Sequence, residues 1–166
     1  HFLFRIPSRG LIGLASRLLN ATRGEAVMYH AYDAYEPFKG PIPQRVTGAL
    51  VSMATGTATT YALNDLQDRG TFFVEPGDRA YEGMVVGENP KALDIVVNVT
   101  RKKHLTNMRM STAEATIVLN TAKKLVLEEA LEYVAEDELV EITPKSIRLR
   151  KNILDQRMRR RAEKAE

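Results

Sequence analysis

The chain has 166 residues, 44% hydrophobic and 27% charged, the mixture of one folded domain or of a domain with part of a neighbour, which excludes a wholly disordered chain. With no cysteine it has no disulfide, thiolate metal site or cysteine nucleophile, and no apolar run approaches the ~20 residues of a membrane-spanning helix, so no membrane partner is expected. The formal net charge of +3 hides a division: residues 145–166 carry nine Lys/Arg against three Asp/Glu, residues 99–113 carry four Lys/Arg and no acid, and the rest stands at −7, which points to a polyanionic partner with nucleic acid first.

The chain opens on Phe2-Leu3-Phe4-Arg5-Ile6, which predicts a buried strand ended by Pro7. A natural terminus is usually softer and begins with Met, so a piece of a longer protein is expected. Ser8 suits the cap of a helix through residue 20, with Leu11, Leu14, Leu18 and Leu19 at helical spacing, and Gly24 suits its end. Residues 25–35 alternate as a long strand, giving a β-α-β unit of the size of a parallel crossover. The proline-rich stretch from Glu36 to Pro43 marks a domain boundary.

Beyond it, strands are predicted at 45–54, 71–75, 81–86, 93–99, 115–119, 139–142 and 146–150. A helix is expected over 58–68 with Tyr61, Ala62 and Leu66 inward. A second is expected over 125–136 with Leu127, Ala130, Leu131 and Val134 inward. Residues 100–113 lack periodicity and read as a long loop, and such loops in compact domains are usually functional. The tail 153–166 suits either a basic helix or disorder. The class is α+β: a truncated β-α-β half, then a strand-rich domain with two short helices.

Little catalytic chemistry is present. No Gly-Lys pair exists, so no nucleotide-hydrolysing phosphate loop occurs. Gly10-Leu11-Ile12-Gly13 at a helix entry suits a phosphate contact or, more ordinarily, close packing. His30 lacks converging partners, and the pairs Glu128-Glu129 and Asp137-Glu138 suit helix ends and solvated faces. Tyr29, Tyr32 and Tyr35 suit a stacking platform or simple packing. The informative segment is the acid-free run Arg101, Lys102, Lys103, His104, Thr106, Asn107 and Arg109. It combines phosphate-neutralising cations with polar donors and stacking groups, as RNA binding requires. A strand after Pro144 would present Arg148, Arg150 and Lys151 to the same partner.

Three motifs near the start, Arg5-Ile6-Pro7-Ser8-Arg9-Gly10-Leu11-Ile12-Gly13, Thr22-Arg23-Gly24 and Tyr35-Glu36-Pro37-Phe38-Lys39-Gly40, resemble the C-terminal region of the BipA/TypA translational GTPases. The resemblance continues in one order through residues 64–70, Pro76-Gly77, Tyr81-Glu82-Gly83-Met84, residues 87–90, 103–109, 137–144 and 146–151. It implies that residues 1–36 are the later half of an elongation-factor-G-like ferredoxin-fold domain. Residues 37–152 would be the domain particular to the family, and 153–166 a basic tail.

It also implies a parent whose GTPase domain, with its GTP and Mg²⁺, lies outside this chain. This piece would then be no enzyme and would hold no cofactor. The implied partner is the ribosome, with large-subunit rRNA and the tRNA acceptor stem near the peptidyl transferase centre met by loop 101–113. The implied roles are ribosome assembly and stress adaptation, in the bacterial cytoplasm or in a chloroplast relative. A generic RNA-binding or chaperone-like module is the other reading. The half-domain is expected to expose an unpaired edge and apolar surface, and to self-associate through it.

Overall fold

Strand β1 (Gly48–Ser52) is buried at every position, so it reads as an unbroken apolar run instead of an alternation. Both of its faces are covered. In the computed structural model, which describes residues 1–40, 45–103, 117–162 and 164, β1 is central in an α+β fold. It runs parallel to β6 (Ile95–Val97) and antiparallel to β5 (Met84–Asn89). The sheet continues from β5 to β8 (Ile147–Lys151) and β7 (Glu138–Ile142). The far edge of β5 is shared: Met84 and Val85 pair with β8, while Gly87 and Glu88 pair with β3 (Thr71–Phe72). A small second sheet joins β2 (Gly56–Thr57) to β4 (Arg79–Ala80).

Alternation along the strands divides the core in two. Leu50, Val86 and Val97 face helix α2 (Thr60–Leu66), which contributes Leu63 and Leu66, and Phe72 and Val74 from the chain after it join the same cluster. Ala49, Val51, Val85 and Leu149 face helix α3 (Leu127–Tyr133), which contributes Ala130 and Tyr133. Full burial of a side chain such as Leu50 or Leu149 stabilises the fold by about 1.5–3 kcal/mol. Thr59 caps α2 by accepting the Ala62 N–H at 3.1 Å, and the Glu129 carboxylate accepts the Val126 N–H at the start of α3 at 3.4 Å.

Several expectations are corrected. Helix α1 forms at Leu14–Ala21 behind a 3-10 turn (Ser8–Leu11), but residues 2–6 and 25–35 form no strand ladder. An alternating segment needs a neighbour to pair with, and among the described residues neither segment pairs as a strand, although an Arg5–Asp33 ion pair at 2.8 Å joins them. Their apolar side chains stand in solvent, Leu3 at 99% exposure and Tyr35 at 95%. In α2 the inward residue beside Ala62 and Leu66 is Leu63, with Tyr61 only half-buried. In α3 Tyr133 turns inward, while Leu127 and Leu131 are exposed. The strand expected at 115–119 lies partly outside the described residues, and 117–119 pair with no strand. The tail contains a helix, α4 (Gln156–Ala162), whose first turn is held by Asp155 accepting the Met158 N–H at 2.8 Å.

Gly13 is the N-cap of α1 and has a left-handed φ of +69°, a conformation that favours glycine, and the Glu132 side chain lies against it. The carboxylate beside it occupies ground where a phosphate would be repelled. Arg17 bonds the same carboxylate at 3.1 Å.

Candidate nucleic-acid interface

The acid-free run is rooted on α2. Val99 is buried, and its carbonyl accepts the Thr59 N–H at 3.0 Å. The Thr59 hydroxyl donates to the Arg101 carbonyl at 2.5 Å, while Asn98 accepts from the Thr100 N–H and hydroxyl. Arg101 reaches Asp65 at 3.6 Å and lies 5.7 Å from the Tyr61 ring centroid. Lys102 and Lys103 follow with exposed side chains. His104, Thr106, Asn107 and Arg109 lie outside the described residues.

The return leg binds the other end of α2, where the Asn120 N–H donates to Gln67 at 3.3 Å, and then β3, where the Lys123 N–H donates to the Phe72 carbonyl at 2.8 Å. Both feet of the loop are thus fixed about 12 Å apart, the length of helix between Thr59 and Gln67. The rigid α2 sets where the basic segment leaves the domain.

The β8 cations are placed differently from one another. Strand alternation puts Lys151 on the face of Leu149, opposite Arg148 and Arg150. Its ammonium is buried, 2.5 Å from Asp94, 2.6 Å from Asp137 and 3.0 Å from Glu138. Arg150 is engaged with Glu141 at 2.9 Å, and Glu141 also accepts the Tyr81 hydroxyl at 2.6 Å. Arg148 is half-buried and lies opposite Glu141 in the β7–β8 register. Lys151 therefore organises the interior, and the three cations do not form one outward array.

Sequence reasoning missed Arg45. Its guanidinium grips both oxygens of Glu138, at 2.8 and 2.9 Å, and lies 4.4 Å from the Tyr133 ring centroid. Arg45 enters β1 and so ties the end of the proline-rich stretch to β7. Burial opposes the charge of Lys151 and Arg45, but bonds to Asp137 and Asp94 for the one, and to Glu138 for the other, raise both pKa values overall. Burial also raises Tyr133 and Tyr81, the latter helped by its bond to Glu141.

These raised values share one sign. They contribute stability that is fully present below the ordinary pKa of each group and lost as pH rises through the folded value. Urea midpoints should therefore fall as pH climbs past about 10, where unfolded tyrosine ionises. Tyr133→Phe should flatten that fall by removing one ionisation. An equally steep fall in the variant would count against the account.

Tyr32 and Tyr35 pack edge to face at 5.4 Å. Tyr29, Tyr32 and Tyr35 are all exposed, so the segment presents aromatic surface without a formed platform. Among the described residues no helix is long and apolar enough to cross a membrane.

Comparison with known proteins adds a second line of evidence. Residues 47–156 match the TypA/BipA C-terminal domain family, and residues 2–46 match the elongation factor G C-terminus. The chain is 47% identical over 163 residues to the large ribosomal subunit assembly factor BipA of Bacillus subtilis (strain 168), covering 98% of the chain and 27% of that protein. It is 45% identical over 148 residues to the protein of that name from Synechocystis sp., covering 89% of the chain and 25% of the relative. A chloroplastic TypA-like protein of Arabidopsis thaliana is 43% identical over 149 residues, covering 90% of the chain and 22% of that protein. The chain thus spans about a quarter of the length of these relatives.

Proposed function

The chain belongs to the TypA/BipA family, and on that premise we propose that it is the ribosome-docking region of a large-subunit assembly factor. The observation that carries the reading is the acid-free segment leaving α2, clamped at Thr59 and opening into the exposed Lys102 and Lys103. Clustered cations neutralise phosphates and release counterions, and a fixed root aims them without ordering cost to the rest of the domain. Segment 101–113 enters an RNA cleft, with the tRNA acceptor stem near the peptidyl transferase centre as the contact that the family resemblance suggests. The chain itself catalyses nothing. GTP and its Mg²⁺ bind in the parent protein outside these residues, since no Gly-Lys phosphate loop occurs here. The parent acts in the bacterial cytoplasm or a chloroplast and serves stress adaptation through ribosome assembly.

Co-sedimentation with large ribosomal subunits over a salt series tests this reading. Binding should weaken steeply with salt. Replacing Lys102, Lys103 and Arg109 by Ala should lower the log–log salt slope by about one for each phosphate no longer neutralised. An unchanged slope would remove the segment from the interface. Equal affinity for unrelated structured RNA would favour the generic module.

A further inference from the structure

The shared edge of β5 leaves a gap. Beyond Phe73, whose N–H donates to the Val86 carbonyl at 2.9 Å, the chain departs from β5, and β8 pairs only with Met84 and Val85. Between the departing segment and β8 lies a cleft of about 130 Å³. That is well below the ~300–1,000 Å³ of drug-sized pockets and suits one planar ring system. The floor is apolar: Val74, Met84, Val85 and Leu149 are all buried. Phe73 lines one side, its ring fixed edge-on against Tyr133 at 5.4 Å.

The rim is cationic. Arg79 and Arg148 line it from opposite sequence origins, β4 and β8, together with Ser146. Its one acid, Asp78, is held in the Pro76-Gly77 turn, where it accepts the Glu75 N–H at 2.8 Å. Arg45, Arg101 and Arg150 are all committed to carboxylates. The side chains of Arg79 and Arg148 have no ion pair or hydrogen bond among the described residues. Two guanidiniums that hold no carboxylate by an ion pair among the described residues, beside an apolar slot, match a phosphate with an attached ring.

The cleft also adjoins the loop root. Arg79 pairs with Thr57 across β2–β4, Ala58 exchanges backbone bonds with Asp78 and Gly77, and Thr59 holds Val99 and Arg101.

We propose that this cleft receives one unstacked nucleotide of single-stranded RNA, its base against the half-buried Phe73 ring and its phosphate between Arg79 and Arg148. RNA recognition commonly takes splayed bases onto aromatic and apolar surfaces in this way. The proposal rests on the reading of the chain as an RNA-docking region. It adds a site that does not use loop 101–113.

The test is NMR titration of the ¹⁵N-labelled chain with a single-stranded RNA hexamer, alongside inorganic phosphate and a nucleoside 5′-monophosphate. The hexamer should shift the amides of Phe73, Val85 and Leu149. Arg79→Ala/Arg148→Ala should weaken hexamer affinity about tenfold while leaving the folded spectrum intact. Lys102→Ala/Lys103→Ala should leave the cleft shifts in place even if ribosome binding is abolished, so the two readings fail separately. Either of two results overturns the proposal: cleft amides that do not move at saturating RNA, or inorganic phosphate moving them with the affinity of the hexamer. Arg79→Lys/Arg148→Lys should restore part of the affinity, and full loss there with a perturbed spectrum would assign the arginines a structural role instead.

Discussion

Glu138→Ala should destabilise the chain by about 3–5 kcal/mol, a large fraction of the ~5–15 kcal/mol that holds typical domains folded. The Glu138 side chain is 0% exposed and serves three partners: Arg45 through both oxygens, Lys151 at 3.0 Å, and the Ala135 N–H at 3.0 Å. Its removal strands a guanidinium that is 12% exposed and leaves Lys151 only Asp94 and Asp137. Isolated buried charge is costly because the interior cannot replace water, and Asp94 reaches Arg45 only at 3.4 Å. Replacing Arg45, Glu138 and Lys151 together by Met, Leu and Met should cost far less, since the charges left without partners, Asp94 and Asp137, are 37% and 63% exposed and stay hydrated. Urea denaturation of the single and triple variants separates the two cases. A loss under about 1 kcal/mol for Glu138→Ala would show that water reaches the cluster, as at an exposed ion pair.

The cluster also shows where sequence reading stops. The strands β1, β5 and β8 and the helix α2 are legible because apolar period and turn residues are local signals. The partners of Arg45 are 49 and 93 residues away, and no local pattern announces them. Charge alone groups Lys151 with Arg148 and Arg150, although the two-residue period of a strand already assigns it to the Leu149 face. In α3 the run from Leu125 to Val134 is apolar on several sides, so periodicity does not choose a face. Tyr133 turns inward because its hydroxyl finds the Gly48 carbonyl at 2.8 Å.

Segments 2–6 and 25–35 carry strand patterns without strand structure for a related reason. A pattern states which face wants burial, whereas a strand exists only where another backbone completes its hydrogen bonds. Of the candidate site, the loop root is legible through charge and lack of acids. The cleft is not, because it arises from two strands sharing one edge of β5, a property of pairing with no composition of its own.

Gly70→Ala should destabilise the chain by about 3 kcal/mol, near the upper end of what overpacking usually costs. Gly70 has extended backbone that any residue adopts, so the effect is purely steric. A Cβ there would overlap the Glu88 carbonyl oxygen and lie 3.0 Å from its carbon, and both belong to the backbone of central strand β5. A flexible side chain would move aside; a strand paired on both edges does not. The cheapest response is to lift β3 away from Glu88 and Gly87, which exposes Phe72 and slackens the Lys123–Phe72 bond holding the return leg of the loop.

Two readouts should therefore move together in Gly70→Ala: the urea midpoint and the hydrogen-exchange protection of residues 71–73. Gly77→Ala supplies the contrast. Nothing lies within 4 Å of its added Cβ, and only its φ of +98° is strained, so it should cost about 1–2 kcal/mol and leave β3 protected. If Gly70→Ala cost no more than Gly77→Ala and kept β3 protected, β5 would have to yield at Glu88, and the rigid centre assigned to this sheet would be wrong.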